Sequence, residues 1–208
     1  MEVTVRHDRA VPIQVDRPRQ RAHVTDLAAQ LVAREGVAAL TFRSVADAAG
    51  SSTAIVSTYF ADKRDLLLST LRAAASRTTV RFEAAIAEGG DLQTGLEAWL
   101  PLDEERLNDW RVIIAFWGVA VSDPGLAEVQ DGHVSRARVR VEKLLRQDRQ
   151  LAEKPSEIVR IAQQVVALTL GIALQAVFES AGPTARVQRA LLADGLARLL
   201  PPQRSSRQ

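Results

Sequence analysis

From residue 19 to residue 35 the apolar side chains Val24, Leu27, Ala28, Leu31 and Val32 recur at steps of three and four. That spacing lines one face of an α-helix, and Glu35-Gly36 supplies its stop. Thr41 or Ser44 caps a short helix through Ala49, Gly50 offers the positive φ of a tight turn, and a second short helix covers roughly residues 53–60. Asp62 suits the N-cap of a long helix carrying Leu66, Leu67, Leu71 and Ala74 to about Glu88, where Gly89-Gly90 ends it. Five more apolar-periodic segments, near 92–100, 103–121, 124–149, 155–180 and 184–200, are each bounded by Pro, Gly or Asp. Strand-like alternation is absent. The pattern predicts an all-α chain of about nine helices without an internal repeat. Residues 1–18, which mix charge with Pro12 and Pro18, read as a mobile arm, and residues 201–208 as a frayed tail.

Composition narrows the chemistry. The 208 residues are 47% hydrophobic and 25% charged, inside the globular range. With no cysteine there is no disulfide framework, thiol nucleophile or cysteine-based zinc site, and His7, His23 and His133 are the only imidazoles. No catalytic set of nucleophile, base and orienting partner assembles, and no phosphate loop or metal spacing is present, so neither cofactor nor metal is expected. His133 reads as a surface or capping residue, and Asp103-Glu104-Glu105 as a helix start. The most apolar stretch, residues 165–174, is bracketed by Gln163, Gln164 and Gln175 and reads as a core helix, with no membrane partner. The N-terminus lacks an apolar secretory region, so a cytoplasmic location is expected.

Net charge is only +2, so any nucleic-acid site must be local. Residues 41–63 supply one. A helix-turn-helix needs small residues where two short helices cross, a glycine-like turn, apolar anchors behind and small or polar residues outward. Val45, Ala46 and Ala49 form the inner face of the first short helix, and Val56, Tyr59 and Phe60 the back of the second. Ser51, Ser52, Thr53, Ser57 and Thr58 are left to face outward.

The run Thr41-Phe42-Arg43-Ser44-Val45-Ala46-Asp47-Ala48-Ala49-Gly50, followed by Tyr59-Phe60-Ala61-Asp62-Lys63 and Leu66-Leu67, resembles the DNA-binding signature of the TetR family of bacterial repressors. Two positions depart from it: Ser51 stands where the family usually has Val, and Ser57 where it usually has Tyr. Residues 52–63, with Ser57, are most similar to the BetI-like branch, as is the stretch 103–126 with Ala115-Phe116-Trp117 and Asp123-Pro124. The resemblance implies that Thr41, Arg43, Ser52, Thr53, Thr58, Tyr59 and Lys63 touch phosphate or base edges of a double-stranded operator. Lys63, in the first turn of a helix, suits a phosphate on physical grounds as well. Arg17, Arg19 and Arg21 could reach the minor groove or the backbone as an arm.

The resemblance divides the chain into a helix-turn-helix domain at 19–65 and a ligand-binding and dimerisation domain at 66–200. Leu107, Trp110, Ile113, Ile114, Phe116, Trp117 and Val121 make the central helix apolar around much of its circumference, so it lies inside the larger domain. In the family the corresponding helices enclose an effector pocket. Trp99, Trp110, Phe116, Trp117 and Phe178 are therefore the candidate walls for an unidentified small molecule. A BetI-like protein would need a choline cage, which the tryptophans could form with an acid such as Glu179 or Asp103. Ile161, Val165, Leu168, Ile172 and Ala176, with Leu191, Leu192, Gly195 and Leu199, form stripes on the last two helices. The family makes such a pair a four-helix homodimer interface. The expected protein is a ligand-responsive DNA-binding repressor without catalytic turnover; the alternative is a helical enzyme or scaffold without sequence-specific DNA binding.

Overall fold

The computed structural model describes residues 16–148, 151–178 and 184–201. The arm up to residue 15, the tail from 202 and Glu179 lie outside the described residues. Within them the chain is all-α, with no strand: α1 (Arg17–Glu35), α2 (Phe42–Ala48), α3 (Thr53–Tyr59), α4 (Lys63–Ala87), α5 (Leu92–Glu97), α6 (Glu104–Ala120), α7 (Pro124–Leu145), α8 (Pro155–Phe178) and α9 (Ala185–Leu199). A 3-10 turn, Val37–Ala39, joins α1 to α2.

Side-chain caps set most of the starts. Asp16, Thr41, Asp62, Asp91, Asp103, Asp123 and Thr184 each accept a hydrogen bond from a backbone N–H in the first turn of the helix that follows. Each cap satisfies a donor that has no partner inside its helix. Thr41 and Ser44 cap reciprocally. The start of α1 corrects the sequence pattern: Arg17 and Pro18 belong to the helix rather than to an arm, because a proline in the first turn forfeits only an N–H that has no helical partner.

Two cores hold the chain together. The first joins α1, α2, α3 and the first half of α4 to α6 through Val32, Leu40, Val45, Val56, Phe60, Leu66 and Phe116. The second joins α5, α7, α8 and α9 around Leu96, Leu100, Val141, Ile161, Val165 and Leu192. α4 runs unbroken across residues 65 and 66 and carries Leu66 and Leu71 into the first core and Phe82 into the second.

The burial of α8 and α9 corrects the expected interface stripe. Ile161, Val165, Ile172 and Leu192 are 0–5% exposed within a single chain and form its own core. Gly195 also serves an intramolecular contact. A Cβ there would stand 2.3 Å from Leu168 Cδ2, so the glycine is what lets α9 lie against α8. Ala176 and Leu199 are half-buried, and Leu191 is exposed. The exposed side of α8 instead carries Val159, Ala167, Gly171, Leu174 and Phe178 among Arg160, Gln163, Gln164 and Gln175, and on α9 Val187 and Leu191 are exposed. By length and composition alone α8 could cross a bilayer, contrary to the sequence reading. In the fold its inner face is core against α7 and α9.

Candidate functional site

The back of α3 is anchored by Val56, which is fully buried, and its outer side presents Thr53, Ala54, Ile55, Ser57 and Thr58 to solvent. Arg43 on α2, Ser52 at the head of α3 and Lys63 in the first turn of α4 are exposed around it. The hydroxyls are not equally available. Ser57 and Thr58 donate to the carbonyls of Ala54 and Ile55 at 2.9 and 2.7 Å, which leaves their oxygens as acceptors. The Thr41 hydroxyl is committed to capping α2, whereas Ser52 makes no side-chain cap bond.

Three expectations change here. Ser51 is half-buried with its Oγ enclosed and unpartnered, so it is a turn residue and not an outward contact. Tyr59 is half-buried and its hydroxyl donates to Gln20 of α1. Arg21 is no arm: it donates to the Tyr59 carbonyl at 3.3 Å and to Ser69 Oγ at 2.8 Å, and its guanidinium lies 5.0 Å from the Phe60 ring centre. It clamps α1 onto α3 and α4. Ile55, 44% exposed at the middle of α3, was not singled out by the sequence. An exposed aliphatic chain there suits the methyl group of thymine.

In the larger domain α4, α6, α7 and α8 line a cavity of about 100 Å³ that opens to solvent. Trp99, Trp110 and Trp117 line it, together with Leu71 and Thr78 of α4 and Thr169 of α8. Trp110 and Trp117 meet edge to face at 6.3 Å, and Trp99 stacks on Phe82 at 4.5 Å. The Trp110 indole N–H donates to the Trp99 carbonyl at 2.6 Å, while that of Trp117 is buried without a partner. Two expected wall residues are elsewhere. Phe116 is fully buried in the first core and is not among the lining residues, and Phe178 is 69% exposed at the end of α8.

One turn-periodic face of α7 supplies the wall that sequence reasoning missed: Gln130, His133, Arg136, Ala137 and Arg140. Burial, helped by the positive charges of Arg136 and Arg72, pushes the His133 imidazolium below its ordinary range. Arg136 Nη2 lies 3.1 Å from His133 Nδ1, so the arginine donates and the ring proton sits on Nε2. Asp103, the expected cage acid, caps α6 and pairs with Arg106 at 3.0 Å, outside the cavity. Among the described residues no cluster of His, Asp and Glu could hold a metal ion.

The exposed surface and the cavity are joined mechanically. α4 begins at Lys63 beside α3 and reaches the cavity at Leu71 and Thr78. Arg64 Nη2 donates to Asp123 at 3.1 Å, tying the first turn of α4 to the N-cap of α7. That guanidinium, with the backbone N–H of Leu126, lowers the Asp123 carboxyl to about 2. Deeper in the chain, the buried Asp109 of α6 binds Arg77 and Arg81 of α4, and Arg77 reaches on to Asp26 of α1 at 3.0 Å.

Known proteins share this architecture. Residues 90–201 match the family described as BetI-type transcriptional repressor, C-terminal, and residues 24–70 match the bacterial regulatory proteins of the tetR family. HTH-type transcriptional regulators BetI of Burkholderia thailandensis and Paraburkholderia phymatum are 29% and 30% identical over 125 residues, 58% of this chain and 63% of theirs. The chain thus matches under two thirds of the length of these relatives. A Rhodococcus transcriptional regulator superposes with a TM-score of 0.76 at 24% identity, covering 86% of this chain and 95% of its own. A Saccharomonospora viridis regulator in complex with choline gives 0.75 at 20% identity, covering 87% and 97%.

Proposed function

Because the chain belongs to the TetR family of bacterial regulators, with a BetI-type C-terminal domain, we propose that it is a ligand-responsive transcriptional repressor working on DNA in the cytoplasm. The observation that carries the reading is that one helix, α4, stands beside the exposed α3 at one end and walls the cavity at the other. α3 enters the major groove with Thr53, Ile55 and Thr58 toward base edges, and Arg43, Ser52 and Lys63 hold phosphates. Two protomers pair through the exposed faces of α8 and α9, which sets two reading helices about 34–36 Å apart on a palindromic operator.

A ligand that binds better to the conformation with mismatched spacing shifts the population away from DNA. α4 is the lever, with Arg64–Asp123 and the Asp109 network as its ties to α7 and α6. The test is operator binding by Thr58→Ala and Lys63→Ala across a salt series. Both variants should stay folded and dimeric. Lys63→Ala should also reduce the log–log salt slope by about 0.9, the signature of one lost phosphate contact. Unchanged operator affinity in both would overturn the reading.

A further inference from the structure

The charged groups on the cavity's polar wall are of one sign. Arg136 and Arg140 stand on it beside the neutral His133, and no Asp or Glu is among the described lining residues. Glu83 is the counter-charge paired with this wall: it accepts from Arg140 Nε at 3.2 Å, is itself 61% exposed, and leaves the terminal nitrogens of Arg140 uncommitted. Arg136 makes no ion pair among the described residues, and neither does Arg72, whose charge is also felt at His133.

The hydrogen-bond inventory points the same way. Thr78 and Thr169 already donate to the carbonyls of Ala75 and Val165 at 2.8 and 2.9 Å. The donors left over include the two guanidiniums and the His133 Nε2 proton, with the Thr79 hydroxyl and the Gln130 amide beside them, and the Trp117 N–H is buried without a partner. A buried N–H with no partner calls for an acceptor. A quaternary ammonium has no acceptor at its charged end and would be repelled by two arginines, whatever the tryptophan faces contribute. A carboxylate matches a guanidinium in charge and in its forked geometry. The opposite wall, Leu71, Ile113, Trp110 and Val166, is apolar and needs a hydrophobic body. A dry cavity of about 150 Å³ takes up one benzene, so a site of this size suits one ring or a short branched chain.

We propose that the cavity binds a small amphipathic monoanion, a carboxylate carried on a single ring or short branched hydrocarbon, and not a quaternary ammonium. This rests on reading the cavity as the effector site of a repressor. Arg136 and Arg140 take the carboxylate at the rim, and Trp110 and Trp117 flank the hydrocarbon.

All three tryptophans of the chain line the cavity, so intrinsic fluorescence reports on it directly. The experiment titrates the full-length protein with benzoate and isovalerate, their neutral amides, and the cations benzylamine and choline. At least one carboxylate should give a saturable change with tenfold or greater preference over its own amide. The cations should give none at the same millimolar concentrations. The double variant Arg136→Met/Arg140→Met should lose that preference while keeping its unfolding midpoint and operator affinity. Equal response to acid and amide, a response to choline alone, no response to either carboxylate, or an undiminished preference in the double variant overturns the proposal. Operator release is read in parallel. Release by a cation would leave the repressor reading standing and this inference fallen; carboxylate binding without effect on DNA would do the reverse.

Discussion

Replacing Asp109 with alanine should remove about 3 kcal/mol of folding stability. The carboxylate is 2% exposed and accepts from Arg77 Nε at 2.8 Å, with Arg77 Nη2 and Arg81 Nη2 both at 2.6 Å. Its loss leaves two guanidiniums one turn apart on α4, where like charges already repel. Arg81 is poorly placed to tolerate this, since its Nε is buried without a partner. Breaking a buried ion pair from one side costs about 3–5 kcal/mol. The Arg77 side chain is 32% exposed and that of Arg81 is 19%, so water can partly rehydrate them, which selects the lower end. For a chain of this length each kcal/mol moves the thermal midpoint by about 2–4 °C, giving a fall of about 6–12 °C. The assay is urea and thermal unfolding by circular dichroism at one protein concentration, because the proposed dimer would make the midpoint concentration-dependent. Adding Arg81→Met to Asp109→Ala should recover part of the loss by removing a half-buried cation left with only the exposed Glu105, 3.4 Å away. A cost under about 1 kcal/mol, or further destabilisation in the double variant, would refute the reasoning that charge balance around Asp109 anchors α6 to α4.

Three other outcomes follow from particular contacts. Gly195→Ala places a Cβ 2.3 Å from Leu168 Cδ2 and should cost about 1–3 kcal/mol in denaturant unfolding through overpacking; a neutral result would mean that α8 and α9 are not packed so closely. A Cβ at the exposed Gly171 meets nothing within 4 Å in the protomer, so Gly171→Leu should leave the protomer folded while shifting the molecular mass measured by light scattering from dimer toward monomer; an unchanged dimer would move the interface off this face. Asp123 has a folded-state pKa lowered from 3.8 to about 2, so the tie to Arg64 contributes fully above the unfolded value and is lost as pH falls through about 2. An NMR titration of the Asp123 carboxyl should place its midpoint there; a midpoint near 4 would show that the tie does not form.

The helices were legible because their ends carry chemistry of their own. Asp62, Asp103, Asp123 and Thr184 cap where the pattern put them, and Gly36, Gly50 and Gly89 take positive φ at the stops. The surface around α3 was legible for a similar reason, since its buried back and polar front follow from helical spacing. Ser51 was misplaced because a serine beside a turn glycine carries no periodic signal, and only packing encloses its hydroxyl.

Burial on α8 could not be read from sequence. The outward side of the helix mixes Arg160, Gln163, Gln164 and Gln175 with Leu174 and Phe178, so periodicity marks the inner face of Ile161 and Val165 as apolar but cannot tell whether that face meets its own chain or a partner. The charged wall of the cavity was hidden by the opposite effect. His133, Arg136 and Arg140 look like a solvated helix face until α4 and α8 are laid across from them. Phe116 looked like a neighbour of Trp117, but adjacent residues on a helix point about 100° apart, and it fills the first core instead.

The central claim is that this chain reads a DNA sequence. Purified protein should be incubated with fragmented DNA from its own genome, and the bound fragments recovered and sequenced at two salt concentrations. The account predicts enrichment of a palindrome that survives the higher salt, with half-sites one helical turn apart. Uniform recovery that disappears as salt rises would show only phosphate attraction and would contradict it.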